Sequence, residues 1–149
     1  VTDPADAAPP PDTVVHASCV ALAGRGLLIT GASGRGKSAL ALQLMALGAA
    51  LVADDRVALQ RDGGRVMASA PAAIAGLIEA RGLGLLHAAP AGPTPVFALL
   101  DLDRDEPDRL PPARRIDLLG QSVILLWRVD APHFPAALAQ YLRTGQRTL

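Results

Sequence analysis

Gly31-Ala32-Ser33-Gly34-Arg35-Gly36-Lys37-Ser38 decides how the rest of the chain is read. It fits Gly-x-x-x-x-Gly-Lys-Ser, the phosphate-binding P-loop pattern. Gly26-Leu27-Leu28-Ile29-Thr30, just before it, is a short apolar run suited to a buried strand. Residues 39–47, just after it, are rich in Ala and Leu and end at Gly48, a helix followed by its stop signal. Strand, glycine-rich loop and helix come in the order the motif needs. In that geometry the backbone N–H groups around Gly31, Ser33, Gly34, Arg35 and Gly36 turn inward at a helix N-terminus and cradle an anion. Lys37 then reaches the β- and γ-phosphates of a nucleotide such as ATP, and the Ser38 hydroxyl ligates Mg²⁺.

Outward from the loop, composition narrows the class. Half of the 149 residues are hydrophobic but only 3% are aromatic, so the core must be built from Ala, Leu, Val and Ile. This length suits one domain. The formal net charge is zero, which argues against a nucleic-acid surface or a membrane-binding patch. Cys19 is the only cysteine and has no intrachain partner, as expected in a reducing compartment. No signal peptide is recognised, and no apolar run approaches the ~18 residues of a membrane helix. A cytoplasmic domain is the expectation.

Residues 1–13, rich in Pro, Ala and Asp, read as a flexible arm, and residues 14–149 as a single catalytic domain. The β-rich run 14–22 and residues 26–30 suggest a hairpin. Residues 50–53 form a short apolar strand that runs into Asp54-Asp55. Residues 57–60 and 65–70, joined by Asp62-Gly63-Gly64, suggest a second hairpin. Residues 71–75 read as a loop or single helical turn, 77–81 as a strand, and 96–102 as a buried strand. The charged, Pro-containing stretch 103–115 reads as an exposed loop, 121–129 as a strand, and 133–142 as a final helix. Strands outnumber helices, so the expected α/β fold is a mixed sheet with hairpins and few helices, unlike the alternating doubly wound pattern.

Asp54-Asp55 at a strand end is the second informative site. Phosphoryl transfer needs carboxylates to orient Mg²⁺ and to take a proton from the attacking hydroxyl, and an adjacent pair can divide these tasks. Side chains alternate along an extended strand, so the two point in different directions. Glu79 is a candidate for the metal shell and Arg81 for phosphate charge, although Glu-x-Arg in a strand also suits a plain surface pair. His16 reads first as a partly buried strand residue and Cys19 as a small core residue. Arg104, Arg109, Arg114 and Arg115 share the 103–115 region with several acids, either as a solvated mixed-charge loop or as a source of one arginine that meets the transferring phosphoryl.

Val15-His16, the 26–38 stretch, Leu51-Val52-Ala53-Asp54-Asp55-Arg56-Val57 and Ile78-Glu79-Ala80-Arg81-Gly82-Leu83-Gly84-Leu85-Leu86 together resemble the catalytic domain of HPr kinase/phosphorylase. The resemblance implies a P-loop fold related to phosphoenolpyruvate carboxykinase. It implies ATP-dependent phosphorylation of a serine on the phosphocarrier protein HPr. It also implies the reverse attack by inorganic phosphate, which releases pyrophosphate. On it, Lys37 and Ser38 match the phosphate lysine and Mg²⁺ ligand, and Asp54 the acid/base. Asp55 and Glu79 fall in the metal site and its surroundings. His16 lies near the transferred phosphate, and Arg109 matches a mobile-loop arginine. The chain resembles a compact form of the family, and the hexamer of longer members suggests a homo-oligomer. A P-loop kinase with another substrate, or a nucleotide- or phosphate-sensing module without turnover, are the alternatives. A pure sensor has no need of Asp54, Asp55 and Lys37 together.

Overall fold

A computed structural model describes residues 11–149. The sequence-based arm lies mostly outside that range, and Thr13, assigned to it, already belongs to a strand. Among the described residues eleven strands and two helices follow one another. They are β1 (Thr13–Val15), β2 (Ser18–Leu22), β3 (Arg25–Thr30), α1 (Lys37–Ala46), β4 (Ala50–Ala53), β5 (Val57–Asp62) and β6 (Arg65–Ser69), then β7 (Leu77–Ala80), β8 (Gly84–His87), β9 (Thr94–Asp105), β10 (Arg115–Leu118), β11 (Gln121–Arg128) and α2 (Phe134–Thr144). A single 3₁₀ turn, Ala72–Ile74, separates β6 from β7. The hairpin-rich sequence thus gives a mixed α/β fold, as expected.

Nine strands share one sheet, in the order β1-β5-β6-β9-β3-β2-β4, with β11 also pairing β9 and β10 pairing β11. β3 and β11 run parallel to β9, whereas β2 is antiparallel to both β3 and β4. β7 and β8 form a separate antiparallel hairpin. The tight turn between β2 and β3 is Ala23-Gly24, both with positive φ (53° and 76°). That is the two-residue geometry whose twist matches the flanking strands.

Period-two alternation sends side chains of β3 to opposite faces. Leu27 and Ile29 join α1 and α2 residues such as Leu40, Leu44, Leu138 and Leu142 in one core. Leu28 joins Val52, Leu59, Val66 and Leu99 in a second core on the other face. The buried hydrophobic residues described are all Ala, Val, Leu, Ile or Cys, as the scarcity of aromatics requires.

Two expectations change. The run 14–22 breaks at residues 16–17, because Val15 pairs with Val57 whereas Ser18 pairs with Ile29, so the chain changes partners there. The stretch 103–115 is not all loop. β9 continues to Asp105 and β10 begins at Arg115, leaving 106–114 as the connection. The charges that suggested a loop are used by the strand, since Asp105 bonds Arg128 of β11 at 2.9 Å.

Cys19 is fully buried in β2, and burial pushes its thiol pKa up to about 12. A raised pKa keeps the thiol neutral throughout the range below it, so the folded protein carries almost no thiolate at pH 8. Iodoacetamide at pH 8 is expected to leave the native protein unlabelled and to modify Cys19 once denaturant is added. Native labelling at the denatured rate would contradict this burial.

Candidate active site

The P-loop leaves β3 at Thr30 and enters α1 at Lys37. Gly31 turns there with φ 153°, and a Cβ at this position would sit 3.1 Å from the Leu102 side chain. Gly36 caps the helix with φ 95°, a left-handed conformation that a Cβ penalises. Glycine is therefore needed at both ends of the turn for physical reasons. The Lys37 side chain is only 8% exposed and folds back on the loop, donating to the Gly31 carbonyl at 2.7 Å and the Ala32 carbonyl at 3.2 Å. These two bonds hold the ammonium against the backbone of the loop itself. Ser33, Gly34 and Arg35 are exposed along the rim.

The chain after β4 places the two aspartates in contrasting surroundings. Asp54 is 5% exposed. Its Oδ1 accepts from the Ser18 hydroxyl and the Ser38 hydroxyl, each at 2.7 Å, and its Oδ2 accepts from the Glu79 backbone N–H at 3.1 Å. One carboxylate thereby joins β2, the first turn of α1 and β7. Asp55 takes φ 68°, a left-handed conformation that Asp tolerates better than most residues. That turn carries its side chain outward, where it is 65% exposed and lies 3.2 Å from His16 Nε2. The Arg56 N–H bonds the Asp54 carbonyl at 2.8 Å and the Ala17 N–H bonds the Asp55 carbonyl at 3.3 Å, so the reversal is fixed by main chain.

The structure brings Lys37, Ser38, Asp54, Asp55 and His16 together around one end of the P-loop. Glu79 reaches Asp54 through its backbone, and its side chain is exposed. Arg81 lies in the turn after β7, not in the strand itself. Arg109 is exposed in the 106–114 connection, and no hydrogen bond or ion pair among the described residues ties it to the P-loop or the aspartates.

Sequence reasoning missed two members of the site. Ser18 bonds Asp54; its only sequence signal is a hydroxyl standing between Ala17 and Cys19 in a buried run. Asp103, grouped with the loop charges, accepts from the Ala32 N–H at 3.1 Å through both oxygens and meets Arg35 Nε at 3.4 Å. Arg35 also donates to the Leu102 carbonyl at 3.0 Å, so the end of β9 braces the outer side of the P-loop.

No group of three or more His, Cys, Asp or Glu side chains gathers as a metal cage among the described residues. The oxygen donors present suit Mg²⁺ nevertheless. Mg²⁺ is commonly held by one or two protein oxygens, the rest coming from water and substrate phosphates. The Ser38 hydroxyl, oriented by Asp54, is of that kind.

Residues 9–91 match the family described as HPr Serine kinase C-terminal domain. An HPr kinase/phosphorylase of Geobacillus sp. is 50% identical over 78 residues, and one of Clostridium tetani 45% identical over 76. A third, from Bordetella pertussis, is 49% identical over 77. These alignments cover 51–52% of this chain and 25% of each relative, so the chain spans about a quarter of their length. The solved structure of the Hpr(Ser) kinase/phosphatase from Coxiella burnetii superposes with a TM-score of 0.76, over 90% of this chain and 96% of that one, at 24% identity. That superposition shows a shared fold.

Removing the Ser18 hydroxyl deletes a hydrogen bond to a buried carboxylate. Ser18→Ala is expected to lower the unfolding free energy by about 1.5–3 kcal/mol, the usual scale for a bond to a charged group. Urea denaturation of the two proteins measures it, and an unchanged midpoint would remove Ser18 from the site.

Proposed function

The chain belongs to the HPr serine kinase C-terminal domain family, and from that premise we propose that it phosphorylates a seryl hydroxyl of an HPr-type phosphocarrier protein at the expense of ATP. The observation that carries this reading is the division of labour between the paired aspartates. Asp54 is buried with three donors and bound to the P-loop serine, and Asp55 stands exposed beside His16.

Phosphoryl transfer is chiefly a matter of position and charge. The P-loop amides and Lys37 neutralise the phosphate oxygens. For Lys37 this requires only that the ammonium leave the Gly31 and Ala32 carbonyls for the stronger attraction of an anion. Ser38, with Glu79 nearby, would hold Mg²⁺, which neutralises charge between the phosphates when bound. Asp54 is buried, its oxygens already accept three hydrogen bonds, and in this reading it orients Ser38. The sequence resemblance gave Asp54 the proton-transfer role, but the geometry favours Asp55, whose oxygens face solvent and an incoming hydroxyl. In our reading Asp55 accepts the serine proton as the oxygen attacks the terminal phosphorus, and the bond to the ADP leaving oxygen breaks. His16 fixes the Asp55 carboxylate.

The same constellation supports the reverse step. An oxygen of inorganic phosphate attacks the phosphoseryl phosphorus, the P–O bond to serine breaks, and Asp55 returns its proton to the serine oxygen. Pyrophosphate and free HPr result. We place the reaction in the cytoplasm. The described chain has no helix long and apolar enough to cross a membrane. Leu83 and Leu85, 76% and 63% exposed on the β7–β8 hairpin, support assembly into a homo-oligomer.

Incubation with γ-labelled ATP, Mg²⁺ and HPr is expected to label one HPr serine. Asp55→Asn should reduce transfer by about 10²-fold or more, the scale of general acid–base catalysis, while ATP binding persists. Lys37→Ala should weaken both. ATP binding by the wild type without labelling of HPr would favour the sensing module. Full activity in Asp55→Asn would return the base to Asp54.

A further inference from the structure

Strand β11 is apolar without a break from Val123 to Trp127, the pattern of a strand covered on both faces. The fold covers it only in part. Val123 is 7% exposed, but Ile124, Leu125, Leu126 and Trp127 are each only partly buried. On the helical face, α1 and α2 close over β3 and over Ala98, Leu100 and Leu102 of β9, and the core thins where it reaches Ile124 and Leu126. An open groove of about 1160 Å³ is left between β11 and α2. Ile124 and Leu126 line it from the strand, and Phe134, Ala137 and Tyr141 from the helix. Residues 111–115 and 144–149 also border it. In sheet order, β11 and the paired aspartates lie on opposite sides of β3.

We propose that this groove docks an acidic amphipathic helix of a partner protein. An α-helix is about 10 Å across and rises about 1.5 Å per residue, so about three turns fill roughly the volume of the groove. A helix laid there beside α2 extends the helical layer over the sheet and buries the apolar face of β11.

Charge sets the chemistry of the occupant. Arg114, Arg115 and Arg147 all line the groove, and the one acid among its lining residues, Glu106, is paired with Arg114. Arg115 and Arg147 are exposed and have no ion pair among the described residues. A groove with an apolar floor and unneutralised guanidinium groups at its edge is complementary to Asp or Glu flanking an apolar stripe. Arg114 also stacks on Trp127, 3.7 Å from the ring centroid, so this border is fixed before a partner arrives. The same charges disfavour a second copy of this chain. Its two helices, α1 and α2, contain no Asp or Glu, so neither supplies the complementary face.

Trp127 is the only tryptophan and borders the groove, so its emission reports occupancy. The probe is a synthetic peptide of about 18 residues, long enough to form a helix, with Leu along one face and Glu along the other. Two control peptides carry Lys in place of Glu, or the same residues in scrambled order. The acidic peptide is expected to shift Trp127 emission saturably, and both controls to bind about tenfold or more weakly. Ala137→Glu and Arg147→Glu, at exposed positions on the groove, should each weaken the acidic peptide by about tenfold while circular dichroism shows an unchanged fold. No saturable shift with the acidic peptide would overturn the proposal. Equal binding of the three peptides would do the same, as would folded Ala137→Glu and Arg147→Glu proteins that bind like the wild type. A wild type that sediments as a dimer, with Ala137→Glu a monomer, would assign the groove to a second copy and overturn it as well.

Discussion

A buried carboxylate is costly unless its lone pairs are satisfied, and Asp54 meets that condition by drawing three elements to itself. Ser18 comes from β2, Ser38 from the first turn of α1, and the Glu79 amide from the separate β7–β8 hairpin. The last contact matters most for the architecture. β7 and β8 lie outside the main sheet, and this bond ties them to the P-loop by a directional link as well as by the burial of Ile78 in the helical core. If the charge were removed, three polar groups would have to find other partners in a nearly dry site.

The same constraint separates the surroundings of two adjacent, chemically identical side chains. Asp54 directly follows β4 and points inward. Asp55, one residue on and with φ 68°, points out. A left-handed residue without glycine's freedom is mildly strained, and such residues gather where function fixes the backbone. Around this pair the P-loop acquires two distinct flanks, with Asp54, Asp55 and His16 on the β4 side and Asp103 on the β9 side. The braces differ accordingly. Ser38 is held from the β4 side by Asp54, and Arg35 from the β9 side by Asp103.

Much of this was legible in residues 26–55, because the P-loop, its flanking strand and helix, and the Asp-Asp step are all local patterns. The mixed, hairpin-rich sheet followed from turn signals such as Asp62-Gly63-Gly64. Long-range partners were not legible. Ser18 lies 36 residues from Asp54, and Asp103 lies 71 from Ala32, so only the fold reveals either contact. The 103–115 stretch misled because charge density resembles a loop, while Asp103 and Asp105 of β9 pair with Arg35 and Arg128. Which of Asp54 and Asp55 is buried was hidden for a related reason. Alternation predicts that the two side chains diverge, but not which of them faces the core.

The account stands on Asp54 acting as the structural hub and Asp55 as the free acceptor, and chemical denaturation of Asp54→Asn and Asp55→Asn tests that division most directly. In Asp54→Asn the new amide sets a donor against the Glu79 N–H or turns a donor towards the two hydroxyls. A loss of about 2 kcal/mol or more is predicted. Asn accepts the left-handed conformation of Asp55 and meets solvent there, so Asp55→Asn should stay within about 0.5 kcal/mol of the wild type. Equal stability of the two variants, or a larger loss in Asp55→Asn, would contradict the account.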